Sequence, residues 1–190
     1  MTRLFFPFIL FMLLFSACNN NKKTSEAASA DENEKISIDS NQLQKQLESL
    51  QELATLTPDD MKALLPEELM GAKGSNYEAR SAIGTSVASA EYMFDDSSIV
   101  KVNIWDCGGP GGAGYYNRQY TTIINNQAEN EGGYKKLTEF NDHIALEYCK
   151  EKSNNCSFTY FGGNRFWVVL SGDKTGIDRI KKLAEELKLK

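Results

Sequence analysis

The chain predicts an α+β fold, a mostly antiparallel sheet of about six or seven strands flanked by helices. Three observations predict it. Apolar residues recur at helical spacing near both ends of the domain, within 41–56 and again within 177–189. Between Glu78 and Ser171 the period changes to two, in short runs separated by turn residues. Most of these runs are joined by connections too short for a crossover helix, which makes them hairpins.

The elements follow in order. Arg3 supplies a basic start, Leu4 to Phe15 is almost unbroken apolar sequence, and Ser16-Ala17-Cys18 closes it. That is the layout of a secretory signal peptide over residues 1–17. A membrane span would need about 20 apolar residues, and this run is shorter. The closing Phe15-Ser16-Ala17-Cys18 resembles the lipobox of bacterial lipoproteins, with Phe15 where that family more often has Leu. The resemblance implies cleavage before Cys18 and a lipid on its thiol, which would hold the protein to the membrane. An ordinary signal cut after Ala17, with Cys18 incidental, is the alternative. A cysteine directly after the apolar run, followed by a polar tail, favours lipidation. Residues 18–40 then form the lipidated cysteine and a tether, rich in Asn, Lys, Ser, Ala and Glu, with almost nothing large to bury. Such a composition predicts disorder.

Residues 41–190 are long enough for one domain with its own core. Asn41 to Leu56 predicts an amphipathic helix with Leu43, Leu47, Leu50 and Ala54 in its stripe, and Asp39 with Gln42 as a capping box. Its stripe is too short for a convincing coiled coil, so it packs on the domain's own sheet. A second helix runs from Pro58 to Leu65, with Thr57 at its N-cap and Pro66 as its stop. Glu78 to Ile83 reads as a strand, followed across Gly84 by a strand that puts Ala88, Ala90 and Tyr92 on one face. Asp95-Asp96-Ser97-Ser98 turns the chain into Ile99 to Asp106. Tyr115 to Glu129 predicts a covering helix. Strands follow at Tyr134–Phe140, His143–Cys149, Cys156–Phe161 and Arg165–Ser171, then a last helix at Ile177–Leu189. Phe166 to Leu170 is apolar on both faces, which places that strand in the middle of the sheet.

At this point a family resemblance emerges. Leu64-Leu65-Pro66-Glu67-Glu68-Leu69-Met70-Gly71, Gly84 and Ala90-Glu91-Tyr92 resemble a group of small exported bacterial lipoproteins, and the order of elements is similar to PsbP-like α/β/α domains. The resemblance implies a fold and a location, and it brings no catalytic residues with it.

Charge excludes some partners. Removing residues 1–17 takes Arg3 and no acidic residue, leaving 20 Lys and Arg against 26 Asp and Glu. An acidic chain with no basic cluster does not suit nucleic acid. Of the four cysteines, Cys18 goes to lipid. Cys149 and Cys156 flank a polar turn between two strands, which suits a cross-strand disulfide in an oxidising compartment. Cys107 remains, read as a buried small hydrophobe.

The segment Gly109-Pro110-Gly111-Gly112-Ala113-Gly114 literally fits a dinucleotide fingerprint between a strand and a helix. Pro110 removes a backbone donor, and no acidic residue follows on a second parallel strand. It therefore reads as a flexible crossing, with the helix N-terminus after Gly114 free to meet some other anion. Gly109, Gly111, Gly112 and Gly114, with Trp105, Tyr115, Tyr116 and Tyr120, are candidates to line a pocket for a small apolar or sugar-like ligand. The same aromatics would serve equally as the seam between sheet and helix. His143 is the only histidine, so a metal centre built on imidazoles is excluded, and no nucleophile elbow surrounds Ser157 or Ser171.

The expected function is that of a lipoprotein of the bacterial cell envelope, at the outer membrane facing the periplasm. It would act as a non-enzymatic binding or accessory module for an envelope protein or small ligand, with no cofactor and no metal. The alternatives are an envelope hydrolase using His143 with nearby carboxylates, and an inhibitor of an envelope-targeting enzyme.

Overall fold

Helix α1 (Ser40–Glu52) and the short α2 (Pro58–Lys62) lead into one sheet built from β1 (Glu68–Leu69), β2 (Ala72–Ala82), β3 (Thr85–Met93) and β4 (Ile99–Asp106). Helix α3 (Gly109–Asn125) crosses to β5 (Gly133–Phe140), β6 (His143–Lys150), β7 (Cys156–Gly162) and β8 (Phe166–Asp173), and α4 (Ile177–Glu186) ends the domain. The computed structural model describes residues 40–125, 133–150 and 152–189, all within the unit Lys35–Lys190. The signal peptide, Cys18, the tether up to residue 39, Asp39 of the predicted capping box and the Glu129 end of the third helix lie outside the described residues.

The sheet has eight strands in the order β1-β2-β3-β4-β8-β7-β6-β5, every neighbouring pair antiparallel. Two meanders, β2-β3-β4 and β5-β6-β7-β8, join where β4 pairs with β8. Positive φ at Ile83 and Gly84 and at Asn141 and Asp142 gives those two hairpins two-residue turns whose twist matches the strands, while Gly163, Asn164 and Arg165 make a three-residue loop between Gly162 and Phe166. As the apolar run predicts, β8 is central, with Phe166, Val168 and Leu170 on one face and Trp167 on the other, all buried.

Each face has its own core. On one, Met61 and Leu65 from the α2 segment and Ile180, Leu183, Ala184 and Leu187 from the α4 segment cover Ala88, Ala90, Tyr92, Val102, Phe158 and Leu170. On the other, Leu43, Leu47, Leu50 and Leu53 pack with Ala113, Tyr116, Ile123 and Ile124 of α3 over Phe161 and Trp167. Burying side chains of this size stabilises by roughly 1.5–3 kcal/mol each. Among the described residues, no helix is long and apolar enough to cross a membrane.

Several boundaries differ from the sequence expectation. Helix α1 stops at Glu52, not Leu56, because Pro58 disfavours helical backbone at Thr57 and Leu56 bonds elsewhere. Helix α2 has Thr57 at its N-cap as expected, in a capping box with Asp60, but ends at Lys62, and the chain continues in turns to Leu65. Strand β2 begins at Ala72, six residues early, since a bulge between Ser75 and Glu78 absorbs Asn76 at φ 51. Helix α4 ends at Glu186, although the predicted stripe of Ile180, Leu183, Ala184 and Leu187 is buried as expected. The largest difference is at the glycines. Gly109 to Gly114 is no flexible crossing but the opening of α3, which starts at Gly109 rather than Tyr115.

Candidate functional site

The predicted surface sits where β4 ends and α3 begins. Strand β4 closes on Asp106, and pairing of Asp106 with Phe166 brings Arg165 alongside it. The Asp106 side chain is fully buried, and Arg165 Nε donates to its Oδ1 at 2.7 Å while Nη2 donates to Oδ2 at 3.2 Å. Two backbone N–H groups complete the shell: Gly108 N to Oδ1 at 2.9 Å and Leu56 N to Oδ2 at 2.6 Å. Arg165 Nη2 also donates to the Ala54 carbonyl at 2.5 Å. Thr55 Oγ1 donates to Gly108 O at 3.1 Å, Ser86 Oγ to Leu56 O at 2.7 Å, and Thr85 Oγ1 to the Asp106 carbonyl. A carboxylate that accepts a forked guanidinium and two amides is charge-assisted on every side. It anchors the 54–56 segment to the sheet, and no lone pair stands free for acid–base work.

The glycines are a packing seam. A Cβ on Gly111 would lie 2.3 Å from Gly84 O, and one on Gly112 would lie 2.5 Å from Cys107 C. Gly109, at φ +78, would place a Cβ 2.5 Å from Thr55 Oγ1. Gly114 alone is open, its nearest contact being Arg118 Nη1 at 3.8 Å. Backbone approaching backbone this closely tolerates only glycine. Gly109 and Gly112 are buried, and Gly111 and Gly114 partly so.

The aromatics divide between core and surface. Tyr116 is buried against Phe161, centroids 4.6 Å apart, with Tyr120 at 5.6 Å and the edge of Trp167 at 6.0 Å. Trp105 and Tyr115 stack at 5.7 Å and are half-buried, with the exposed Arg118 close to Tyr115. Burial raises the Tyr115 and Tyr116 hydroxyls well above the ordinary phenol range, so both stay neutral. The candidates therefore do not ring one cavity: Gly111 and Gly112 face backbone, Gly109 faces Thr55, Gly114 lies open, Tyr116 faces core, and Trp105 with Tyr115 is half-buried beyond them.

Elsewhere, His143 opens β6 with Nε2 at 3.2 Å from Asn164 Oδ1 and its ring edge-on to Phe161 at 5.0 Å, neither partner being acidic. Asp142, its neighbour in sequence, belongs to the turn before β6, at φ 63. Cys107 is buried and free, and desolvation pushes its thiol up to about 12, so it is inert as a nucleophile. Cys149 and Cys156 form a disulfide at a cross-strand pair of β6 and β7. Among the described residues no group of three His, Cys, Asp or Glu side chains could hold a metal ion.

Two features escaped the sequence reading. The Asp106–Arg165 node joins residues 59 apart and carries no local motif. A groove of about 560 Å³ lies beside the disulfide, lined by Tyr134, Lys150, Lys152, Asn154 and Ile177. Its walls come from β5, the β6–β7 loop and the start of α4, which only the folded chain brings together. No family model, curated protein or solved structure matches the chain.

Proposed function

We propose that the chain is a lipoprotein of the bacterial cell envelope, held by lipid on Cys18 at the outer membrane and facing the periplasm, and that its domain is a binding or accessory module rather than an enzyme. The anchoring part rests on Phe15-Ser16-Ala17-Cys18 after an apolar run, and on the polar stretch that follows. The choice of binding over catalysis rests on one observation. The most deeply buried carboxylate at the predicted site, Asp106, is saturated by Arg165, Leu56 and Gly108, so it serves the fold. The group offered to solvent there is the Trp105–Tyr115 stack with Arg118, three residues along the helix from Tyr115, beside it. Half-buried aromatics next to an arginine are the composition of protein contact patches.

The test places a photocrosslinking side chain at Gln119, one turn along α3 from Tyr115, in the full-length protein in living cells, with a control at Lys62 on the opposite layer. A discrete adduct at position 119, absent at 62 and diminished by Cys18→Ser, supports the module and its anchor. Equal labelling at both positions, or turnover of an envelope substrate that His143→Gln abolishes, overturns the reading.

A further inference from the structure

Strand β2 lies second from the edge of the sheet, yet its outer neighbour β1 pairs only with Ala72 and Lys73. From Glu78 to Ala82 no strand among the described residues lies along its outer side. The adjoining turn dictates which groups face outward. Ile83 and Gly84 form a two-residue turn, so the flanking pair Ala82 and Thr85 exchanges both hydrogen bonds. Alternation along the ladder then aims the N–H and C=O of Arg80 and Glu78 at β3, and those of Ala79 and Ser81 at the open edge. Side chains alternate as well. Ala79 packs against the α2 and α4 core, while Glu78 and Arg80 stand exposed on the other face.

Open edges are usually blunted by proline, by charges or by a covering element. The opposite edge, β5, carries two adjacent cations, Lys135 and Lys136. The free stretch of β2 has no proline, and its two charges are opposite in sign and two residues apart. We infer that this edge pairs with the same edge of a second copy of the chain, antiparallel about a two-fold axis at Ala79. In that register Ala79 faces its own counterpart, Ser81 faces Tyr77, and Glu78 faces Arg80 twice over. The charged pairs fall at non-hydrogen-bonded positions, where Cα atoms approach to ~4.5 Å and opposite charges attract best. An axis at Glu78 or Arg80 would set like charges face to face, so charge selects the register. The incoming strand covers positions 77–81 and leaves Ala72, Lys73 and Gly74 to the segment around β1, where Glu67 O accepts from Gly74 N.

The test uses the full-length protein in its own membrane. Ala79→Cys, oxidised in intact cells, is expected to yield a disulfide-linked dimer about tenfold above Lys136→Cys on the other edge. Adding Arg80→Glu lowers that yield about tenfold by turning two attractive pairs into repulsive ones, and adding Glu78→Arg as well restores it. Equal yields at positions 79 and 136, or failure of the double exchange to restore the dimer, overturns the proposal. A variant that misfolds is replaced by the native protein in detergent, where sedimentation at the mass of one chain overturns it and at two chains supports it.

Discussion

Arg165 Nε lies 2.7 Å from Asp106 Oδ1, with the arginine side chain 19 % exposed and the aspartate fully buried. The pair closes the end of β4 against the start of β8 and holds the 54–56 segment over both. Removing one partner of a buried pair leaves a charge without compensation, which costs more than the intact pair contributes.

Arg165→Met is therefore expected to destabilise the domain by about 3–5 kcal/mol. Chemical denaturation followed by tryptophan fluorescence would measure it, since Trp167 is buried next to the pair. A loss under 1 kcal/mol would show that the two backbone amides suffice to hold Asp106.

The α3 glycines make a paired prediction. Gly112→Ala drives a Cβ to 2.5 Å from Cys107 C and 2.8 Å from Asp106 O, both backbone, and should cost about 1–3 kcal/mol. Gly114→Ala meets only the flexible Arg118 end at 3.8 Å and should stabilise the helix by ~0.5–1 kcal/mol. Thermal melts of the two variants should shift in opposite directions.

Ile83 holds φ 44 in a turn where Asn is favoured ahead of Gly84. A β-branched residue in the left-handed region is strained. Ile83→Asn is expected to raise the stability of the isolated chain by about 1 kcal/mol, measured by denaturation at low protein concentration.

Asp96 caps its turn by accepting from Ser98 Oγ at 2.5 Å and Ser98 N at 3.0 Å, and Arg179 Nη1 donates to its other oxygen at 2.7 Å. The Ser98 bonds first, and Arg179 after them, lower its carboxyl to about 2. Because the folded value lies below the ~3.9 of an unfolded Asp, the contribution is complete above that value and disappears as pH falls through about 2. Melting temperature should therefore drop between pH 4 and pH 2, and Asp96→Asn should flatten part of that drop.

Much of the fold was legible in the residues. Alternation of Val100, Val102 and Ile104 located β4 to the residue, and the helical stripe of Ile180, Leu183 and Leu187 located the buried face of α4. The apolar Phe166–Leu170 run placed β8 at the sheet centre. These are signals of local period, and period survives in sequence because burial acts on every turn or every second residue. The cross-strand disulfide was legible too, since Cys149 and Cys156 close one short hairpin.

The candidate site was less legible. Gly109 to Gly114 reads as a loop because each helical glycine costs ~0.5–1 kcal/mol, and only contact with Gly84 and Cys107 reverses that preference. The partnership of Asp106 with Arg165, the outward turn of the Trp105–Tyr115 stack and the free edge of β2 all depend on which strands become neighbours. By itself, then, the sequence determined seven of the eight described strands, the helical stripes and the antiparallel sense of the sheet, because each is written in a repeat of two to four residues. The tertiary structure alone decided how β4 meets β8, where the glycine helix begins and which edge stays open, because close approach of backbones and burial of a charge are set by residues far apart in the chain.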